Sequence, residues 1–330
     1  MITKPLSPSY ILFFSTLMLS TMMIMTASNW IMVWMSMEMN LMSFIPLMLS
    51  SSTHSELEAA TKYFLMQSIG SAMMLTSIFM FNSLNLFKPT SLIFCLSMML
   101  KMGMAPLHLW LPQILNNMTW VMILLTTTWQ KIGPMSVLSY MSTMWMYQTI
   151  TIIAAANIMI GVFGGLSQSQ MRPLIAYSSI SHMGWMLSSM ILSSTIMVLY
   201  LILYFIVSLS ALTPLILMEK QSSSKHNLTF NNPQNLMLMT SLNMLSMGGM
   251  PPMLGFIPKW MVISMLIKIS PLLTLSLTTL SMISLYFYLK ITMTIIMNMM
   301  KSTSYKINTN ITPIILFLTI PQTMVLLCFM

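Results

Sequence analysis

Acidic residues are scarce in this sequence, which contains no aspartate and only four glutamates: Glu38, Glu56, Glu58 and Glu219. Charged residues make up 5% of the 330 residues, whereas hydrophobic residues make up 57%. A soluble domain usually carries about 25% charged residues. The shortage of charge therefore excludes an ordinary soluble enzyme and indicates an integral membrane protein.

Cysteine is almost absent as well. Cys95 and Cys328 both lie in apolar segments, which excludes a disulfide framework and a cysteine-ligated metal site. The sequence has no Walker A loop, no glycine-rich dinucleotide turn and no histidine pair with ligand spacing, so we expect the chain to bind no cofactor and no metal. It also lacks a basic run with interleaved aromatics, so the net charge of +9 does not indicate nucleic acid.

Methionine, by contrast, is abundant, with 47 residues spread along the chain. Methionine replaces leucine and isoleucine readily in apolar packing. Animal mitochondria read one isoleucine codon as methionine, which enriches methionine in apolar chains. Since the sequence also shows no Arg-rich, Ser-rich leader, we expect synthesis inside the mitochondrion.

Long apolar segments predict an all-α integral membrane protein that forms one polytopic membrane domain over residues 1–330. We expect about eleven transmembrane helices, because eleven segments are long enough to cross a bilayer. The predicted spans are 8–26, 30–49, 59–82, 90–112, 119–144, 149–166, 173–192, 194–218, 235–267, 271–299 and 311–329.

Loop lysines and arginine predict the orientation of these spans, because positive charges concentrate on the inner side of a membrane. The side that carries the N-terminus receives Lys4, Arg172, Lys220, Lys225, Lys301 and Lys306. The opposite side receives only Lys88 and Lys268. The N-terminus is therefore predicted on the matrix-like side and the C-terminus on the other.

Glycine and proline interrupt the fourth and ninth predicted spans in the same way. Gly-Met-Ala-Pro at 103–106 matches Gly-Met-Pro-Pro at 249–252, and Pro112 matches Pro258. Because the two spans lie five apart, the second copy is inverted relative to the first. Interrupted helices at matching positions of an inverted repeat are typical of the central site of a transporter.

Four ionisable residues fall near the middle of predicted spans: Glu38, Lys101, Lys131 and Lys259. A lysine at mid-depth costs about 2.5–3.5 kcal/mol on insertion scales, so these residues should face protein or water. They could be structural ion pairs, but three lysines cannot all pair with one carboxylate. Burial favours the neutral form of lysine, so a buried lysine can both gain and lose a proton. We interpret the four residues as a proton relay.

Three further residues are weaker candidates for the same site. Lys62 lies four residues after Glu58 and either reaches the surface or turns inward to Glu38. His182, in the serine-rich middle of span seven, either titrates near neutrality or is a hydrogen-bonded core histidine. His108, beyond Lys101 on the interrupted segment, has the same two alternatives.

In its motifs and their order, the chain resembles the antiporter-like membrane subunits of mitochondrial NADH–ubiquinone oxidoreductase (respiratory complex I), within the chain 2 family. Eleven spans also match the shortened form of this subunit in bilaterian animals. The segments that carry the resemblance are 38–47, 58–65, 101–112, 129–134, 167–173 and 248–259.

The resemblance implies a role for each mid-membrane residue. Glu38 corresponds to the carboxylate that modulates the first lysine, and Lys101 to the lysine that takes a proton from the matrix side. Lys131 corresponds to the central relay lysine, and Lys259 to the lysine toward the exit. Lys62 and His182 are weaker transfers.

The resemblance also implies a place in the cell and a set of partners. The chain would be a subunit of the H⁺-translocating NADH:ubiquinone reductase in the mitochondrial inner membrane, while NADH, FMN, iron–sulfur clusters and ubiquinone bind elsewhere in the complex. Its partners would be other membrane-arm and accessory subunits and the lipid bilayer, with cardiolipin as a candidate lipid. The alternatives are a stand-alone cation/proton antiporter and a non-conducting scaffold, although a scaffold gains nothing from buried lysines.

Overall fold

The computed structural model describes residues 8–49, 53–84, 87–141, 144–224 and 234–301, and the regular secondary structure in these ranges is helical. The helices are α1 (Pro8–Thr26), α2 (Trp30–Met48), α3 (His54–Leu84), α4 (Phe87–Met102), α5 (Trp110–Asn116), α6 (Trp120–Thr127), α7 (Trp129–Met141), α8 (Met144–Leu166), α9 (Met171–Leu192), α10 (Ser194–Ser224), α11 (Gln234–Gly248), α12 (Phe256–Leu266) and α13 (Pro271–Lys301).

Within these ranges, six helices are long and apolar enough to cross a membrane: Pro8–Thr26, Trp30–Met48, His54–Phe81, Tyr147–Leu166, Ser194–Glu219 and Pro271–Met297. They correspond to the predicted spans one, two, three, six, eight and ten. The prediction of an all-helical membrane-type protein is confirmed. The eleventh predicted span, 311–329, lies outside the described residues.

Hydroxyl groups inside these helices bond to their own backbone. The Oγ atoms of Ser20, Ser36 and Ser43 each donate to the carbonyl three residues earlier, at 2.8 Å. Fully buried Ser178 does the same to Ile175 O at 2.8 Å. Because a hydrocarbon environment offers no water to a polar group, this local bonding lets many serines and threonines enter apolar helices without an unpaired donor.

By its internal contacts the chain divides into two compact units, Thr3–Leu187 and Ser188–Met330 together with Met1–Ile2. In the first unit, α2 packs against α1 and α3, while α3 also contacts α4 and α5. Helix α7 contacts α1, α4 and α6. The buried residues of this unit include Leu17, Phe44, Met74, Met98 and Leu138, one from each of five helices.

The second unit is built on α10 to α13. Helix α11 packs against α10 and α13, and the short α12 contacts the same two helices. The buried Asn243 of α11 donates from Nδ2 to Ser210 O of α10 at 2.6 Å, which fixes the two helices to each other. Leu212, Met244 and Leu277 are fully buried between these helices.

The helix bounds divide three of the predicted spans. Helix α4 ends at Met102 before α5 begins at Trp110, and α11 ends at Gly248 before α12 begins at Phe256. These divisions fall where glycine and proline interrupt the sequence.

The third division, between α6 and α7, was not marked by a glycine and proline motif in the sequence. The sequence predicts a span over 119–144, and within it α6 ends at Thr127 and α7 begins at Trp129. The hydroxyls of Thr127 and Thr128 bond to carbonyls one turn earlier, and Pro134 removes a backbone donor from α7. The threonine bonds weaken the helical ladder at this division, whereas the missing Pro134 donor weakens it at Gln130 O inside α7.

Candidate proton-relay site

Helix α4 ends in a glycine C-cap directly after Lys101. Gly103 has a φ of +68°, which glycine adopts without the steric penalty of a side chain. The Gly103 N–H donates to Leu100 O at 3.2 Å, and the Met104 N–H donates to Met99 O at 2.9 Å. This pair of bonds is the Schellman motif. It turns the chain away from the helix axis and leaves Lys101 in the last helical turn.

Helix α11 of the second unit ends in the same motif. Gly249 has a φ of +81°, and its N–H donates to Ser246 O at 3.0 Å. The Met250 N–H donates to Leu245 O at 3.4 Å. The residues that match in sequence, Gly103 and Gly249, therefore have matching backbone conformations and hydrogen bonds.

Lys101 and Lys131 line one cavity in the first unit. Lys101 is 8% exposed and Lys131 is 3% exposed, so neither side chain is solvated as a surface lysine would be. The cavity leaves about 20 Å³ for the centres of water molecules, which is enough for about one water. Its other lining residues are Tyr63, Met102, Trp110, Leu111, Ile114, Leu115, Thr126 and Gln130.

Two of the lining residues contribute further donors. Nε1 of Trp110 and Nε2 of Gln130 are buried and have no hydrogen-bond partner among the described residues. A buried donor without a protein partner usually bonds to water. Because at least two polar groups are available besides the lysines, the cavity meets the requirements for an ordered water between them.

Lys131 is anchored at both of its ends. Its N–H donates to Thr128 O at 3.2 Å, so the residue lies in the first turn of α7, next to the division between α6 and α7. Its Nζ donates to Ser179 O of α9 at 3.2 Å. The lysine therefore reaches from an interrupted helix to a neighbouring helix while lining the cavity that it shares with Lys101.

Glu38 lies half-buried on α2 and interacts electrostatically with Lys101. No direct ion pair joins these two residues in the described part of the chain. Its Oε1 atom is buried without a hydrogen-bond partner among the described residues. An unpaired buried carboxylate oxygen is unfavourable, so this atom is available to accept a hydrogen bond.

Lys259, in the second unit, contacts the end of the preceding helix. It is 6% exposed, and its Nζ donates to Gly248 O at 2.7 Å. This carbonyl belongs to the last residue of α11, where the helix dipole concentrates negative partial charge. The Nζ donor of Lys259 therefore joins α12 to the end of α11 across the interruption.

A family model described as "NADH:quinone oxidoreductase/Mrp antiporter, TM" matches residues 27–284 of the chain. The chain belongs to this family. It is 38% identical over 293 residues to NADH-ubiquinone oxidoreductase chain 2 of Lumbricus terrestris, covering 86% of each protein. It is 35% identical over 332 residues to NADH-ubiquinone oxidoreductase chain 2 of Suncus etruscus, covering 96% of each.

The fold is also similar to a chain of respiratory complex I from Thermus thermophilus with bound aureothin, with a TM-score of 0.77. That similarity covers 97% of this chain and 77% of the other, at 19% identity. The recognition from sequence motifs is therefore confirmed at the level of the family.

The residues predicted for the site of this NADH:quinone oxidoreductase/Mrp antiporter family member are divided between the two compact units. The first unit holds Lys101 and Lys131 around one cavity and Glu38 outside the cavity lining, and the second unit holds Lys259. Lys62 does not turn inward to Glu38: its side chain is 45% exposed and its Nζ lies 2.6 Å from Glu58 Oε1. Helical spacing explains this, since Glu58 is four residues earlier on the same helix.

The two weaker histidine candidates differ in burial. His182 is buried beside Ser178 and Ser179, as expected for either of its two alternatives. His108 is only half-buried, with Nδ1 3.2 Å from Pro106 O and its ring 6.5 Å from that of Tyr177. His108 therefore lies on the connection between α4 and α5 and does not line the lysine cavity.

Sequence reasoning missed four polar residues around the first lysine: Gln67, Trp110, Gln130 and Asn157. Gln67 and Asn157 hydrogen-bond to the backbone of residues 101 and 105, while Trp110 and Gln130 line the cavity. For Gln67, Gln130 and Asn157, the available signal was an amide side chain inside an apolar span, because such a side chain is costly to bury unless it is hydrogen-bonded. Which carbonyl or N–H such an amide reaches depends on helix packing.

Among the described residues, no group of three or more histidine, cysteine, aspartate or glutamate side chains gathers in a way that could hold a metal ion. The titratable groups gathered around the cavity are lysines, one tyrosine and the nearby Glu38. Such a set can move protons, because lysine and carboxylate groups each exchange one.

Proposed function

We propose that this chain is the chain 2 membrane subunit of mitochondrial NADH:ubiquinone oxidoreductase, complex I. In this role it takes part in proton translocation across the inner membrane, coupled to electron transfer from NADH to ubiquinone. The observation that carries the proposal is the cavity shared by two buried lysines, Lys101 and Lys131, in a member of the NADH:quinone oxidoreductase/Mrp antiporter family. The relatives from Lumbricus terrestris and Suncus etruscus carry the name of that subunit.

The relay begins at Lys101. A negative charge on Glu38 favours the ammonium form of Lys101 through the electrostatic interaction between them. When Glu38 is neutralised or drawn to another cation, that stabilisation falls and the proton moves to Lys131 through the cavity. A change of about 1.4 kcal/mol shifts such a proton equilibrium tenfold, so a modest charge movement is sufficient.

The relay ends at Lys259. Its bond to Gly248 O holds the ammonium at the C-terminus of α11, and release of the proton toward the opposite side completes one stroke. We propose that α4 with α5 and α11 with α12 are each one broken transmembrane span of an inverted repeat. The shared Schellman motif at Gly103 and Gly249 supports this proposal.

We infer that the chain itself holds no redox cofactor, since NADH, FMN, the iron–sulfur clusters and ubiquinone belong to other subunits of such a complex. Its partners in this proposal are the other membrane-arm and accessory subunits and the surrounding lipid, including cardiolipin. The family model runs across both compact units, which supports one membrane domain of about eleven spans over residues 1–330.

We place the chain in the inner membrane with its N-terminus on the matrix side and its C-terminus in the intermembrane space. The distribution of loop lysines and arginine supports this orientation. Lys4, Lys225 and Lys306, which contribute to it, lie outside the described residues.

Purification and reconstitution separate this function from its two alternatives. We expect the chain, solubilised from mitochondria in mild detergent, to co-migrate with NADH-oxidising activity and to support NADH-driven proton uptake in vesicles. A stand-alone cation/proton antiporter would instead purify as a free chain and acidify vesicles in response to an imposed cation gradient. A scaffold would co-purify, but Lys101→Met would leave the proton yield of the complex unchanged.

A further inference from the structure

Gln67 of α3 binds the backbone of Lys101. Its side chain is 6% exposed, and its Nε2 donates to Lys101 O at 2.9 Å across a sequence separation of 34 residues. Lys101 lies in the last turn of α4, where backbone carbonyls have no N–H partner within the helix. Gln67 therefore supplies the bond that the interruption of the helix removes.

Gly70, one turn further along the same face of α3, makes room for the side chain of Lys101. A Cβ atom built at Gly70 would lie 3.0 Å from Lys101 Cγ and 3.4 Å from Ser97 O. The aliphatic stem of Lys101 consequently occupies the space that any other residue at position 70 would partly fill. Helix α3 thus holds both the carbonyl and the stem of Lys101.

Asn157 of α8 fixes the chain on the other side of Gly103. It is fully buried, and its Oδ1 accepts from the Ala105 N–H at 2.7 Å. Its Nδ2 donates to Ile153 O at 2.9 Å, which sets the orientation of the carboxamide. The backbone is therefore bound by side-chain amides both before and after the turn.

In the second unit, a different type of residue binds the carbonyl at the end of the interrupted helix. There the terminal carbonyl of α11 is bound by Lys259 itself, at 2.7 Å from Nζ. Lys101 Nζ, by comparison, makes no hydrogen bond to the described residues, because Gln67 already binds the nearby carbonyl. The Lys101 amine remains available to Glu38 and to the cavity that it shares with Lys131.

We propose that Gln67, Gly70 and Asn157, together called the Lys101 cradle, are positioning residues that hold the backbone and the stem of Lys101 so that its amine is directed to the relay. The proposal rests on the proposed function. Proton transfer depends steeply on the placement of the donor, and a misplacement of about 1 Å can lower a rate about 100-fold.

Two substitutions test the cradle in the assembled complex. Gln67→Leu removes the donor, so we expect the number of protons translocated per NADH to fall toward the value for Lys101→Met. Gly70→Ala displaces the Lys101 stem by a few tenths of an ångström, although alanine is the better helix former. We expect this variant to assemble at the wild-type level and still show a lower proton yield. Gln113→Leu, at an exposed glutamine of α5, is the matched control and should retain the wild-type yield.

Each outcome separates the cradle from the relay itself. If Lys101→Met lowers the proton yield but Gln67→Leu and Gly70→Ala assemble and pump normally, the cradle is wrong and the proposed function stands. If Lys101→Met has no effect, the proposed function fails first. Loss of assembly in Gly70→Ala would also overturn the cradle, because it would show that position 70 serves packing alone.

Discussion

Methionine in place of Lys131 should lower proton translocation through this chain about 100-fold, the lower end of what one positioned proton-transfer group contributes. Lys131 lines the cavity with Lys101 and is the next group able to accept its proton. Methionine has a similar volume and no titratable group, and it removes the cost of about 2.5–3.5 kcal/mol for inserting a mid-membrane lysine. We therefore expect normal insertion and assembly of the variant.

The measurement is NADH-driven proton uptake by vesicles that contain the assembled complex, compared at equal rates of NADH oxidation. Lys62→Met is the matched control, because Lys62 is exposed and its pair with Glu58 contributes at most about 1 kcal/mol. Lys131→Arg keeps the positive charge, but arginine does not release its proton, so it should fail like methionine. Wild-type proton yield in Lys131→Met would contradict the relay.

Alanine in place of Gly255 should largely prevent accumulation of the folded chain. A Cβ atom there would overlap the carbonyl oxygen of Ser246, which is a backbone atom that cannot rotate away. The same carbonyl accepts the Gly249 N–H in the C-cap of α11. Relief of the overlap must therefore distort the whole connection between α11 and α12. We expect a loss of about 3 kcal/mol or more in the stability of the fold.

The level of assembled complex on native gels, together with the amount of the chain in the membrane, measures this effect. Gly133→Ala is the control, since its Cβ would meet only the terminal methyl of Ile24, at 2.9 Å. A methyl at the end of a flexible side chain can move, so this variant should accumulate normally. Wild-type levels of Gly255→Ala would show that the close approach of the two backbone segments is not required.

The two capped helix ends distinguish the lysines of the relay. Lys101 precedes its glycine on the first helix, whereas Lys259 follows its glycine on the second helix and reaches back to Gly248 O. A proton on Lys259 therefore strengthens a bond across the interruption, while a proton on Lys101 does not.

The sequence predicted those features that depend on local chemistry. Glycine is favoured where φ is positive, so Gly103 and Gly249 marked both helix ends correctly. The insertion cost of charge likewise predicted that Lys101, Lys131 and Lys259 would be buried. Family membership followed from several such motifs in one order.

Features that depend on packing between distant segments could not be predicted in this way. The cavity joins residues from α3, α4, α5, α6 and α7, and no periodicity shows which helices meet. The division at Thr128 coincides with the hydroxyl bonds of Thr127 and Thr128, and such bonds also occur in continuous helices. Lys62 pairs with Glu58 and not with Glu38, because the rotation of α3 turns it outward, and sequence spacing alone does not determine this rotation.

If Lys101 loads a proton into a path within this chain, the number of protons translocated per NADH oxidised must depend on Lys101. We would measure protons translocated per NADH oxidised in the assembled complex that carries Lys101→Met. We expect the ratio to fall in this variant while uncoupled NADH oxidation continues. If proton translocation and NADH oxidation fall together, Lys101 instead belongs to an electrostatic chain that gates the whole complex. An unchanged ratio would contradict the relay and favour the scaffold.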